Sequence, residues 1–135
     1  MVPNPTEVAQ SSRNFLLAEP GIRLALLYGS TASGKMRPDS DVDLAVLFDH
    51  PLDAARRVGL AERLETLLAR TVDLVDLSSL SGTILKQILC GGIVLFKKDT
   101  EALASLTRKM IFNQADVMPY VRRTLEERQR RFLHG

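Results

Sequence analysis

The chain has 135 residues, 45% hydrophobic and 25% charged, with a formal net charge of +2. That is one domain of ordinary globular composition, able to bury roughly two-thirds of its unfolded surface without staples, and its single cysteine, Cys90, excludes an internal disulfide and a multi-cysteine metal site. So small a net charge does not by itself imply nucleic acid; with no apolar run of 18 residues and no charged-then-apolar leader, neither membrane spanning nor export is indicated, and a cytoplasmic location is expected.

Asn4-Pro5-Thr6-Glu7 predicts a helix start: Asn4 can cap, Pro5 suits the first helical position and Glu7 can reach back. That helix should end near Ala18, before Glu19-Pro20-Gly21. Residues 22–28, IRLALLY, form a strand apolar enough for burial on both faces. Asp41 to Phe48, DVDLAVLF, predicts a second strand, closed by the turn at Asp49-His50-Pro51. From Leu52 to about Arg70, Ala55, Val58, Ala61, Leu64 and Leu68 recur at helical spacing and define an amphipathic helix.

Thr71 to Leu77, TVDLVDL, is short and rich in branched residues, a third strand. Leu80, Ile84, Leu85, Ile88 and Leu89 mark the next helix face, which Gly91-Gly92 should end. IVLFKK is a fourth strand, after which Asp99 or Thr100 caps a long helical region that Pro119 must kink or divide. Met118, Val121, Leu125 and Phe132 form a stripe there. Residues 101–135 carry Arg108, Lys109, Arg122, Arg123, Arg128, Arg130 and Arg131 against Glu101, Asp116, Glu126 and Glu127, which reads first as a solvated helix face and otherwise as a surface that meets an acidic partner. The architecture expected is α/β (α+β): about four strands with helices against them. One domain, 1–135, has its core at 22–97 and C-terminal helices over about 100–133.

Gly29 to Met36, GSTASGKM, resembles a phosphate-binding P-loop, G-x-x-x-x-G-K-[ST], in all but its last position. That position needs a hydroxyl for magnesium, and the thioether of Met36 is a poor ligand for a hard cation. Pro38 would also interrupt a helix begun at Lys35, so the P-loop is rejected. Downstream, Ser40-Asp41-Val42-Asp43-Leu44 puts two carboxylates on one face of a strand, because residues i and i+2 share a face. Adjacent carboxylates repel unless a cation sits between them, a role suited to Mg²⁺, which keeps places for water and substrate phosphates.

A third apolar strand carries Asp73 and Asp76. Their opposite parity allows only one to join the pair. Asp73 is favoured because it is flanked by Val72 and Leu74 in mid-strand, where an idle carboxylate is costly to bury; Asp76 lies nearer the strand end, where a solvated or capping acid is cheap.

LLYGSTASGKMRPDSDVDLAVLF resembles the polymerase-β-like nucleotidyltransferase signature, Gly-Ser followed after about ten residues by Asp-x-Asp, and the short chain with VDLVDL resembles its minimal nucleotidyltransferase (MNT) branch. The resemblance implies that Gly29 and Ser30, with Ser40 nearby, contact a nucleoside triphosphate. It also implies that Asp41, Asp43 and a third acid hold two Mg²⁺ ions, the third acid serving as base for the attacking hydroxyl. Family members commonly carry Arg in the Gly-Ser loop where this chain has Ser33; Lys35 or Arg37 could supply that charge.

The same resemblance implies an antitoxin paired with a HEPN-domain toxin, silencing it by transferring AMP from ATP to a tyrosine. A non-catalytic antitoxin that acts by binding is the alternative, and an aminoglycoside-type transferase a lesser one. Tyr28 and Tyr120 are isolated, so no nucleic-acid stacking platform is expected. His50 and His134 have no assigned role.

Overall fold

The computed structural model describes residues 5–33, 37 and 40–116. Helix α1 (Pro5–Leu17) leads into β1 (Ile22–Leu27), the short α2 (Gly29–Ser33) and β2 (Val42–Phe48). Helix α3 (Ala54–Leu68), β3 (Val72–Asp76) and a 3₁₀ turn (Leu77–Ser79) come next, then α4 (Gly82–Gly91), β4 (Ile93–Lys97) and α5 (Thr100–Asp116). Asn4, Pro119 and the stripe Met118, Val121, Leu125 and Phe132 lie outside the described residues.

The four strands form one sheet in the order β3-β2-β1-β4. Strand β1 runs antiparallel to β2 and β4, while β2 and β3 are parallel. A parallel pair cannot be closed by a tight hairpin, so α3 serves as the crossover. The sheet is covered on both sides. Val42, Leu44, Val46 and Phe48 of β2 pack with Val8, Leu16, Leu60, Leu64 and Leu68 of α1 and α3. Ala45 and Leu47 point the other way, into a second cluster with Leu85, Ile88, Ala102 and Leu106 of α4 and α5. A bulge between Ile22 and Leu24 switches the parity of β1, so Ala25 and Leu27 join the first cluster and Leu24 and Leu26 the second.

Two expectations need correction. On α3, Val58 is 48% exposed, and fully buried Leu60 takes its place. Two residues are ~200° apart around a helix, so the stripe through Leu60, Leu64 and Leu68 leaves Val58 on the solvent side. On α4, Ile84 is 58% exposed and lies outside the core face expected of it. Gly91-Gly92 ends α4 as expected, with Gly92 as its cap at a φ of −80°. Glycine is required there by crowding: a Cβ would lie 2.4 Å from the Ile88 carbonyl oxygen and 2.9 Å from that of Leu27. Of the two possible caps of α5, Asp99 does the work, accepting from the Ala102 amide at 2.7 Å. Arg23 of β1 holds the same carboxylate.

Candidate active site

In the parallel pair, Val42 lies opposite Val72 and Asp43 opposite Asp73. The valines face the α1/α3 core, so strand alternation sends both carboxylates to the α4/α5 face. Asp73 is exposed and Asp43 half-buried there. Beside them Tyr28 follows β1, and its amide donates to the Asp43 carbonyl at 3.0 Å. The Tyr28 hydroxyl donates to Asp73 Oδ2 at 3.2 Å.

The next residue, Gly29, turns the chain into α2 with φ +62°. A Cβ there would lie 2.5 Å from Asp43 Oδ2; only glycine allows both this backbone and this approach. Thr31, buried on α2, accepts from the Asp43 amide through Oγ1 at 3.1 Å. Residues far apart in sequence thus meet at one end of the sheet.

Among the described residues, the electrostatics are those of a site short of positive charge. Partial burial, then the charges of Asp73 and Asp41, pushes the Asp43 carboxyl above the usual carboxylate range. The Tyr28 phenol is also pushed up, first by burial, then by Asp73's charge and hydrogen bond, then by Asp43. It therefore remains a protonated donor. Among the described residues, no ion pair reaches Asp41, Asp43 or Asp73. Nor, among the described residues, does any group of three or more His, Cys, Asp or Glu side chains come together that could hold a metal ion by itself. The expected convergence of three acids is therefore only a pairing of Asp43 with Asp73, with Asp41 adjoining. Hard oxygen donors crowded without counter-charge fit a divalent ion completed by water and phosphate.

The two acids of β3 reverse one expectation. Asp73 shares the face of Asp43, yet it is exposed; the buried one is Asp76, at 6% exposure. Asp76 accepts from the Leu52 amide at 2.8 Å, the Ser78 amide at 2.9 Å and the Ser78 hydroxyl at 2.8 Å. Those donors meet its burial cost locally, as a cap of the 3₁₀ turn.

Ser30 is the second residue of α2, and the Ser33 hydroxyl donates back to its carbonyl at 3.3 Å. In the loop before Asp41, the Arg37 amide donates to Ser40 Oγ at 2.8 Å, and Arg37 itself is exposed. Lys35 lies outside the described residues. Sequence reasoning missed Arg70. Buried after α3, it donates through Nη1 to the carbonyls of Arg37 at 2.8 Å and Ser40 at 3.4 Å, pinning the loop that delivers Asp41. Its only sequence signal was a basic residue ending an apolar helix stripe, which is common.

The family model "Polymerase beta, Nucleotidyltransferase" matches residues 10–101. The protein adenylyltransferase MntA of Shewanella oneidensis is 38% identical over 93 residues, 67% of each chain. A crystal structure of a toxin–antitoxin with AMP-PNP is similar in fold at a TM-score of 0.71 and 27% identity, over 94% of this chain and 99% of that one. The MNT antitoxin in complex with a tri-AMPylated Shewanella oneidensis HEPN toxin matches at a TM-score of 0.62 and 28% identity, over 87% of this chain and 98% of that one. The matched segment spans every strand and all the described site residues, so this chain belongs to the polymerase β nucleotidyltransferase family.

Proposed function

We propose that this chain is a Mg²⁺-dependent protein adenylyltransferase, the antitoxin of a pair, which transfers AMP from ATP to a tyrosine of a HEPN toxin. The observation that carries it is the alignment of Asp43 with Asp73 beside Gly29. The relatives support the acceptor: one is named a protein adenylyltransferase and another is bound to an AMPylated toxin.

Asp41, Asp43 and Asp73 would hold Mg²⁺, which when bound neutralises charge on the phosphates. Gly29 lets the triphosphate approach the backbone, and Ser30 offers it a hydroxyl. Asp73 receives the proton of the acceptor hydroxyl, to which Tyr28 gives way. A new oxygen–phosphorus bond forms at the α-phosphorus, and the bond to pyrophosphate breaks on the opposite side. Arg70 contributes by fixing the loop ahead of Asp41. The protein's share is positioning and charge.

One observation favours a second reading, an antitoxin that only binds. Ser33 stands where the family commonly has arginine, and its hydroxyl is turned back onto Ser30. Incubation of the protein and its HEPN partner with labelled ATP and Mg²⁺ separates the two. Label on a partner tyrosine that disappears with Asp41→Asn and Asp43→Asn supports transfer; unlabelled toxin, still inhibited by both variants, supports binding alone.

A further inference from the structure

Next to the carboxylates, on the same face of the sheet, α4 stands off to leave a cleft of about 460 Å³. Its helical wall is Ile84, Gln87 and Ile88, spaced to form one stripe; the sheet supplies Tyr28, Gly29 and Val75. The next position of the stripe, Gly91, also lines the cleft, and a Cβ there would meet nothing within 4 Å. The walls are apolar apart from two side-chain groups. One, the Tyr28 hydroxyl, is engaged by Asp73; the other is the Gln87 amide.

We propose that this cleft is the nucleobase slot of the site and that Gln87 reads the polar edge of the base. The inference rests on the transferase reading and extends it to the choice of nucleotide. A nucleobase is a flat heteroaromatic with polar groups only at its rim. It matches a slot with aliphatic walls and one amide. Tyr28 and Gly29 belong both to the cleft and to the carboxylate cluster, so phosphates at Gly29-Ser30 and a base under α4 are the two ends of one ligand. Ile84, otherwise an apolar side chain left to solvent, gains a face to cover. An acceptor tyrosine, by contrast, needs its single hydroxyl at Asp73 and has no use for an amide on α4.

The amide can accept from the adenine amino group and donate to the adjoining ring nitrogen. A carboxylate only accepts, so it loses the ring nitrogen of adenine and matches the two neighbouring N–H donors of guanine. Gln87→Glu should therefore lower the ratio of kcat/KM for ATP over GTP roughly tenfold or more. Gln87→Ala should raise KM for ATP while leaving KM for the toxin unchanged.

Calorimetry of the intact chain with ATP and with inorganic tripolyphosphate, both with Mg²⁺, tests the slot without any transfer. The wild type should bind ATP more tightly, and Ile84→Asp should remove that advantage. An ATP:GTP ratio unmoved by Gln87→Glu, an advantage retained by Ile84→Asp, or variants that shift only KM for the toxin would overturn the slot. Base-dependent binding in a wild type that labels no partner would instead overturn the transferase reading and leave the slot standing.

Discussion

The two ends of β3 each carry an aspartate, and the fold treats them oppositely. Asp76 is buried and receives three donors. Asp73, at the open end, has a phenol for a hydrogen-bond partner and another carboxylate across the strand. A structural carboxylate is placed among groups that satisfy it. Asp73 is left in negative company, which costs stability and, under the proposed function, leaves it ready for a cation.

The largest effects should separate these two acids. Asp43→Asn or Asp73→Asn should lower the rate of AMP transfer by about 10³-fold, with circular dichroism and the melting curve preserved. Asp76→Ala should retain most activity in the cold yet lose about 2–3 kcal/mol in urea denaturation, because buried donors lose their acceptor. If Asp76→Ala abolished transfer while its urea midpoint stayed put, the contrast would be wrong. Gly29→Ala should cost about 1–2 kcal/mol for its left-handed backbone alone, and nucleotide affinity measured by calorimetry should fall with it.

A smaller effect sharpens the contrast. In metal-free protein, Asp43→Asn should raise stability by a few tenths of a kcal/mol, the modest size befitting a partly solvated group; a loss of stability would mean Asp43 also serves as structure. The least change concerns Asp99, away from both ends. The Arg23 hydrogen bond and then the Ala102 amide hold its carboxyl below the usual carboxylate range. Since its folded pKa lies below the unfolded one, the stabilisation is complete at neutral pH and fades as pH falls through the folded value. The stability gap between wild type and Asp99→Asn should narrow in acid; a gap independent of pH would remove the ion pair from the account.

The strands were legible because burial on both faces needs continuous apolar runs such as IRLALL and VDLAVLF. The parity of Asp73 and Asp76 was legible too, since alternation is a local property. Their relative burial was not. The donors to Asp76 include the Leu52 amide at the far side of α3, and no strand pattern announces them. Arg70 was missed for the same reason: the two loop carbonyls described among its partners become its neighbours only when β2 and β3 pair. The α4 stripe misled at Ile84, where an apolar residue at helical spacing borders a cleft rather than the core.

The register of β3 on β2 serves two ends at once. Sliding β3 by a single residue would turn Val72 and Leu74 out to water and drive Asp73 into the oily α1/α3 side. The alternation that excludes such a slip is the same one that keeps Asp73 on the face of Asp43. A one-residue error in pairing would therefore cost the interior as well as the carboxylate pair, so the greasy residues guard the acids against it.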